Sequence, residues 1–576
     1  MRKMAKLCAR RGFSERRFRR YHTGWMATEN TCGKLVNGQK PIGEGTRVRT
    51  TRFPDGKGDD LKRYNVLVLT PDQYRADYIS CYGHPTIGTT HIDRLAEEGV
   101  RFSRCYCAAP LCGPSRISFT TSLRFGEHRR RNYWSCIDYK VPNLVRLLKE
   151  AGYWSGMFGK NHLFLYDQLH QAWDELHEIC LGNRDEHPKY VRSYSAFPLE
   201  HDHPYNTTAR LADEAIDFIH RSPSDRPFLC WVNWQDPHPV YTCPEPYASM
   251  FDPADISLPP NWRRQTRDKP RRLENWRVNS LAHQCTEEEA RKAIAMYMGQ
   301  CRYVDDQVGR IMRFLEESGR IENTVIVFFA DHGEFIGDFG VFHKLPLFYE
   351  CLARIPMVIR YPGGMVSPFV FEGLVEQVDL APTLLDALGM PVPQSMVGTS
   401  LQRQILCGDG SGRDSVLVEA GLQMPTSPGP VPGVNHRAPS PPNSYGPGAM
   451  VRDGRYKLCM YSDDRHELYD LQNDPYETSN LYGKAEHSGI QQRLTELLVR
   501  RTLGVGLRPG GQWRTPDTDF RASPPEARET TWQSPELFKG PNSQDQARHR
   551  ERRHPVIDVR KTRERADTID RTEVCR

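Results

Sequence analysis

Asn65-Val66-Leu67-Val68-Leu69-Thr70 is a short run, apolar between its ends, with a carboxylate, Asp72, two residues beyond it. Six residues are too few for a core helix, so the run reads as a buried strand. Thr324-Val325-Ile326-Val327-Phe328-Phe329-Ala330 repeats the pattern and leads directly into Asp331. Continuous apolar runs of this kind are typical of parallel strands covered on both faces. Phe228 to Val232 and Ile355 to Arg360 are further runs of the same type. Helical stretches separate them. Thr286 to Leu315 carries apolar residues at helical spacing behind a Thr286/Glu289 capping box, with Gly319 placed to end it. Asp138 to Gly152 and Thr208 to His220 read as shorter helices with one apolar face. This alternation predicts an α/β fold built on a large, mostly parallel mixed sheet flanked by helices.

The chain has 576 residues, and single cores stop growing near ~250–300 residues, so a large domain and a smaller one are expected. The reading divides the chain into a basic extension over 1–63, the α/β domain over 64–410, a Pro-rich loop with a small sheet over 411–504, and a polar tail over 505–576. Gln423 to Ala449 is dense in Pro, Gly and Ser and reads as a long surface loop. Strand-like runs follow in Met450 to Tyr461 and from Glu467 onward. Residues 1–63 hold 17 Lys and Arg against 6 Asp and Glu, so the formal +6 of the whole chain leaves the remainder net negative. That extension matches no nucleic-acid motif, and it and the tail are expected to be disordered, with no nucleic-acid partner. No run reaches the ~18–20 apolar residues of a membrane span, and the N-terminus lacks the apolar region of a signal peptide. No membrane association and a cytoplasmic location are therefore expected. The 16 cysteines show no CxxC pairs and read mostly as buried reduced thiols.

In an open parallel sheet, ligand groups collect at the carboxyl ends of the strands. Asp72-Gln73 and Asp331-His332 should therefore share one edge and converge on a single cation. An Asp after one strand is more often a turn former, but here there are two donor pairs beside a third segment. That segment is Leu111-Cys112-Gly113-Pro114-Ser115-Arg116-Ile117-Ser118-Phe119-Thr120-Thr121. Pro114 suits the first turn of a helix, so Cys112 should face a positive helix end where an anion gains from free N–H groups.

The Cys112-Gly113-Pro114-Ser115-Arg116 core resembles the signature at which sulfatases convert a cysteine into formylglycine. The resemblance extends over roughly residues 64 to 485 and implies an alkaline phosphatase-like fold with a small C-terminal antiparallel sheet. By that resemblance Asp72, Gln73, Asp331 and His332 bind one divalent cation, with the modified Cys112 as a further ligand. Mostly oxygen donors favour Ca2+, with Mg2+ or Mn2+ as alternatives. Gly159-Lys160-Asn161-His162-Leu163 is similar to a family segment whose Lys and His contact the sulfate and the nucleophile. Asp236-Pro237-His238-Pro239 is similar to one whose His assists the leaving group, and Lys344 matches a sulfate-binding Lys.

The implied reaction is hydrolysis of a sulfated sugar or another organic sulfate. The aldehyde hydrates to a diol, one hydroxyl attacks sulfur, and the second expels sulfate as the aldehyde reforms. Arg116, Lys160 and Lys344 would stabilise the developing negative charge, while His162 and His238 suit proton transfer. A formylglycine-generating enzyme is the implied partner. Two positions depart from the family: Thr120-Thr121-Ser122 stands where Leu-Thr-Gly is usual, and Asp72-Gln73 replaces two Asp residues. The second departure also occurs in bacterial sulfatases and in the related phosphonate monoester hydrolases. A phosphonate or phosphodiester hydrolase with the same nucleophile is therefore the alternative, as is a silent sulfate-binding protein if Cys112 stays unmodified. Lys160 and His162 favour the sulfatase reading. Substrate choice belongs to the pocket-lining loops, for which His201-Asp202-His203, Trp262 to Trp276 and the Pro-rich loop are the candidates, and none carries a readable code.

A chain trimmed to about residues 60–505 is expected to keep its specific activity on an aryl sulfate, since neither removed segment has core-forming periodicity. Insolubility or loss of activity in the trimmed protein would show that one of them packs on the core.

Overall fold

The first apolar run forms strand β1, Asn65–Pro71, buried over its whole length. The structure, a computed structural model, describes residues 64–503 apart from 134, 179–188, 190, 204–205 and 424–443. Eight further strands join β1 in one sheet: β2 (Val100–Tyr106), β3 (Trp154–Gly159), β4 (Glu175–Glu178), β5 (Phe228–Trp234), β6 (Thr324–Phe329), β7 (Arg354–Ile355), β8 (Met357–Arg360) and β9 (Phe369–Glu376). Their order is β4-β3-β5-β1-β6-β8-β2-β7, with β9 paired to β2. From β4 to β6 every neighbouring pair is parallel. The expected α/β architecture, a mostly parallel mixed sheet with helices, is what the chain forms.

The main helices are α1 (Cys112–Thr121), α2 (Leu144–Glu150), α3 (Thr208–Arg221), α4 (Arg271–Asn279), α5 (Glu287–Glu317) and α6 (Ser488–Leu503). The capping box at the start of α5 forms as read: the Thr286 hydroxyl accepts from the Glu289 N–H at 3.2 Å and the Glu289 carboxylate accepts from the Thr286 N–H at 2.9 Å. Gly319 follows the helix in the left-handed region, at φ 68°.

Three local expectations differ from the structure. The helix read over Asp138 to Gly152 begins only at Leu144, because the residue before Pro142 is steered away from helical geometry and the Asn143 side chain caps the Arg146 N–H at 2.8 Å. The run Ile355 to Arg360 is two strands divided at Pro356, and β8 pairs antiparallel with β6. A parallel return needs a crossover helix, and between β6 and β7 there are only two short helical turns, Asp338–Gly340 and Glu350–Ala353. The Pro-rich loop is also narrower than Gln423 to Ala449. Gln423 ends strand β10 (Val416–Gln423) and Ser444 opens β11 (Ser444–Arg452). The β10/β11 register shifts between Ala420 and Leu422, next to Pro447, a bulge where a residue without an N–H is tolerated. The middle of the loop, the basic extension and the polar tail lie outside the described residues.

β10 and β11 continue into β12 (Tyr456–Tyr461) and β13 (Glu467–Asp470) as a separate antiparallel sheet. Leu494 and Leu498 of α6 close its outer face against Leu417, Val451, Leu458 and Leu468. On the other side, Lys457 reaches the first sheet's loops, donating to the Phe348 carbonyl at 2.7 Å and pairing with Glu350 at 3.1 Å and with Glu477. The cysteines among the described residues form no disulfide, and only Cys407 is exposed. No helix among them is long and apolar enough to cross a membrane.

Lys457 is fully buried. Replacing it by Met should cost about 3 kcal/mol or more, because Glu477 is left in the interior without its cation. Urea unfolding of the variant measures this, and a midpoint equal to wild type would mean that the pair contributes nothing to holding the second sheet.

Candidate active site

Four adjacent parallel strands deliver the site. Lys160 follows β3, Asn233 is the penultimate residue of β5, Asp72 follows β1 and Asp331 lies two residues past β6. Since these strands neighbour one another in the order β3-β5-β1-β6, their carboxyl ends place the four side chains side by side. The Asp72 N–H donates to the Trp234 carbonyl and the Lys160 N–H to the Asn233 carbonyl, each at 3.1 Å, so the ladder continues one residue into the site.

Cys112 is the first residue of α1, with Pro114 in the first turn. Gly113 permits the close approach of the neighbouring loop: a Cβ there would lie 2.8 Å from the Tyr133 carbonyl and 2.9 Å from that of Ser135. The Cys112 sulfur sits 3.3 Å from His332 Nε2 and 3.7 Å from Asp72 Oδ1. Burial and Asp72 push its thiol up, but Lys160, Lys344 and His332 outweigh them and leave it below its ordinary value.

Asp72, Cys112, Asp331 and His332 are all buried, and one donor atom from each lies within 4.8 Å of the others. Cation binding fits this set. His332 Nδ1 donates to the Gly333 carbonyl at 2.8 Å, which turns Nε2 toward the cluster. Burial lowers the His332 pKa, yet Asp331 and Cys112 raise it above its ordinary value, so the pocket stabilises positive charge at this point. Gln73 stands beside the cluster. Its N–H donates to Asp331 Oδ1 at 3.0 Å, its Oε1 accepts from Lys344 Nζ at 2.6 Å, and its Nε2 donates to Glu334.

Three cations surround the carboxylates. Arg116 spans the site, donating from Nε to Asp331 at 3.1 Å, from Nη1 to Asn233 at 2.6 Å and from Nη2 to Asp72 at 3.3 Å. Lys160 pairs with Asp72. Burial raises the Asp72 pKa, but Lys160, His238, Arg116 and Lys344 together hold it well below the usual carboxylate range. Lys344 donates to Gln73 and, at 2.9 Å, meets His238 Nε2. His238 Nδ1 donates to the Pro239 carbonyl at 2.5 Å, so the lone pair of the neutral ring faces Lys344. Burial first, then Lys344, keeps His238 well below its ordinary pKa. His162 is likewise held low by burial, Lys160 and Arg116, with its Nδ1 buried and without a hydrogen-bond partner.

Every residue read from the sequence as a site group thus lies in or beside this cluster. Asn233 and Glu334 were missed. Asn233 sits just beyond the apolar run that was quoted, and a polar residue at the end of a buried parallel strand was the available signal. Glu334 follows the Asp331-His332-Gly333 segment, and it accepts from Tyr241 at 2.8 Å, from the His343 N–H and from Gln73. Of the candidate substrate segments, His201 and Asp202 are exposed.

A family model described as Sulfatase matches residues 64–390, and one described as N-sulphoglucosamine sulphohydrolase, C-terminal, matches residues 443–503. The chain belongs to the sulfatase family. This sulfatase is 28% identical over 500 residues to the N-acetylglucosamine-6-O-sulfatase of Bacteroides thetaiotaomicron, covering 76% of the present chain and 86% of that protein. It is 26% identical over 480 residues to an arylsulfatase of Clostridium perfringens, covering 76% and 94% of the two chains. Among solved structures it resembles the phosphonate monoester hydrolase of Agrobacterium radiobacter, with a TM-score of 0.63, 25% identity, and coverage of 77% of this chain and 96% of that one. The enzyme is a sulfuric ester hydrolase.

Arg116→Lys keeps a charge but loses the fork that joins Asp72, Asp331 and Asn233. Steady-state kinetics on an aryl sulfate should show kcat/KM reduced about a hundredfold or more with the circular dichroism spectrum retained. A near-wild-type rate would mean that charge alone, without the fork, suffices.

Proposed function

We propose that this sulfatase hydrolyses the sulfate ester of a saccharide, using a formylglycine made from Cys112 and one divalent cation, most simply Ca2+, held by Asp72, Gln73, Asp331 and His332. The observation that carries the reading is the position of the Cys112 sulfur at a helix start, 3.3 Å from His332, inside a buried cage with Arg116, Lys160 and Lys344. An inert core thiol needs none of these neighbours, and buried cations are rare without a partner anion. The saccharide assignment rests on the N-acetylglucosamine-6-O-sulfatase relative. A formylglycine-generating enzyme would act on the chain before Cys112 is enclosed.

When present, the cation would polarise the sulfate and the hydrated formylglycine would supply both the attacking hydroxyl and the one that later releases sulfate. The chain's own groups do the rest. Lys160, Arg116 and Lys344 bind and orient the sulfate oxygens and neutralise the charge that grows on them in transfer. His238, fixed by its Nδ1–H on the Pro239 carbonyl, turns its Nε2 lone pair to Lys344 and would assist the departing sugar oxygen by relaying a proton received there. His162, neutral and with Nδ1 unbonded, is free to take the nucleophile's proton.

The second reading, a phosphonate or phosphodiester hydrolase with the same nucleophile, is favoured by Asp72-Gln73 and by the Agrobacterium structure. Three measurements test the mechanism and the choice of ester. Peptide mass spectrometry of active protein should find residue 112 as the aldehyde, and sulfatase activity from protein carrying only the thiol would overturn the mechanism. On matched aryl esters kcat/KM should be higher for the sulfate than for the phosphonate or phosphodiester, and thorough metal stripping should abolish it. A preference for either phosphorus ester would put the second reading first.

A further inference from the structure

We propose that an arginine-lined groove beside the catalytic pocket binds a second anionic group of the substrate, so that the enzyme takes a polyanionic, multiply sulfated saccharide rather than one bearing a single ester. This rests on the sulfatase reading and names its substrate class. The groove encloses about 710 Å3 and is lined by Arg263, Arg264, Arg267, Arg271, Arg277 and Arg465, with Glu274 as its one carboxylate. Its size is that of a small-ligand site.

The charges are not balanced within the protein. Arg277 is tied to Glu274 at 2.7 Å and Arg271 lies 3.8 Å from Asp464. Arg263, Arg264, Arg267 and Arg465 have no carboxylate partner among the described residues, and all four are exposed. Two of them are nevertheless held in place. Arg263 donates to the Cys285 carbonyl and lies over the Trp262 ring at 5.3 Å. Arg465 donates to the carbonyls of Arg267 and Lys269 at 2.8 and 3.2 Å. Such positioning keeps like charges close together, at a cost that a bound anion removes, and guanidinium forks match sulfate and carboxylate oxygens.

The groove is coupled to the site through one loop. A Cβ on Gly340 would lie 3.8 Å from Arg263 Cγ and 3.9 Å from Arg277 Cδ. Trp276 of α4 donates to the Phe342 carbonyl at 2.9 Å, and Lys344 follows two residues later. The loop from Gly337 to Lys344 therefore packs on two of the groove's arginines, Arg263 and Arg277, at one end and carries Lys344, proposed above to bind sulfate, at the other. Among the described residues no aromatic side chain lines the groove, and single-stranded nucleic acid is bound by stacking on aromatic rings. The chemistry favours a sulfated saccharide.

The test is fluorescence anisotropy with a labelled dextran sulfate oligosaccharide at physiological salt, comparing wild type with Arg264→Glu/Arg267→Glu and Arg264→Lys/Arg267→Lys. The Glu variant should bind about tenfold or more weakly, and the Lys variant should retain most of the affinity. Both should turn over 4-nitrophenyl sulfate, which has no second anionic group, at the wild-type rate, which also reports that they are folded. Unchanged dextran sulfate affinity in the Glu variant would overturn the proposal. Tighter binding of an oligo(dT) of equal charge, lost in the same variant, would overturn it in favour of nucleic acid. Failure of the sulfatase reading would appear separately, as absent aryl sulfate turnover in wild type, and leaves the binding comparison intact.

Discussion

Two carboxylates, Asp72 and Asp331, are removed from water altogether, and the structure is arranged around the cost of that burial. An isolated buried carboxylate would take up a proton. Here Arg116 contacts both, and Lys160 contacts Asp72. Lys344 adds a third permanent cation within reach of Gln73 and His238, with the Glu334 carboxyl, pushed up to about 7 by burial, on the other end of the Gln73 amide. A divalent ion on the acidic donors would add still more positive charge. The pocket is therefore incomplete without an anion, and a sulfate ester supplies one where the cations converge.

Such a cluster needs a rigid support, since side chains placed on loops would relax away from it. The four strands β3, β5, β1 and β6 supply it, because parallel neighbours bring successive carboxyl ends to one edge at strand spacing. The second sheet contributes from a distance. Arg501 of α6 and Arg124, two residues after the left-handed Ser122 that ends α1, meet on Glu376, the last residue of β9. Burial would raise Glu376, but Arg124, Arg501 and Arg413 hold it down at about 2. The far end of the nucleophile helix is thereby fixed to the C-terminal helix through one ionised carboxylate, which gives the small sheet a role in holding Cys112.

What was legible in the sequence follows from which residues repeat and which stand alone. β1 and β6 announced themselves because a fully buried strand must be apolar throughout, and Asp72 and Asp331 stood out as charges directly after such runs. Lys160, His162, His238 and Lys344 carry no periodic signal and were found only through their resemblance to family segments. Asn233 was hidden because an amide at the end of an apolar run looks like a turn former, while its actual task, accepting from Arg116, depends on β5 lying beside β1. The direction of β8 was equally hidden, since an apolar run has no sense of orientation. It was set by the lack of a crossover helix after β6.

The departure at Gln73 has a physical explanation in its neighbour. The Gln73 amide donates from Nε2 to Glu334 and so turns Oε1 toward Lys344 and the acidic cluster. Glu334 cannot be moved out of the way, being fixed also by Tyr241 and by the His343 N–H. Burial already pushes its carboxyl up to about 7, against the lowering influence of Tyr241, Lys344 and Gln73. An aspartate at position 73 would have no hydrogen to donate, would set a second carboxylate against Glu334, and would force a proton onto one of them. An amide at 73 and a carboxylate at 334 thus belong together: the glutamate decides which end of the amide faces the site, and the amide spares the glutamate a second carboxylate as its neighbour.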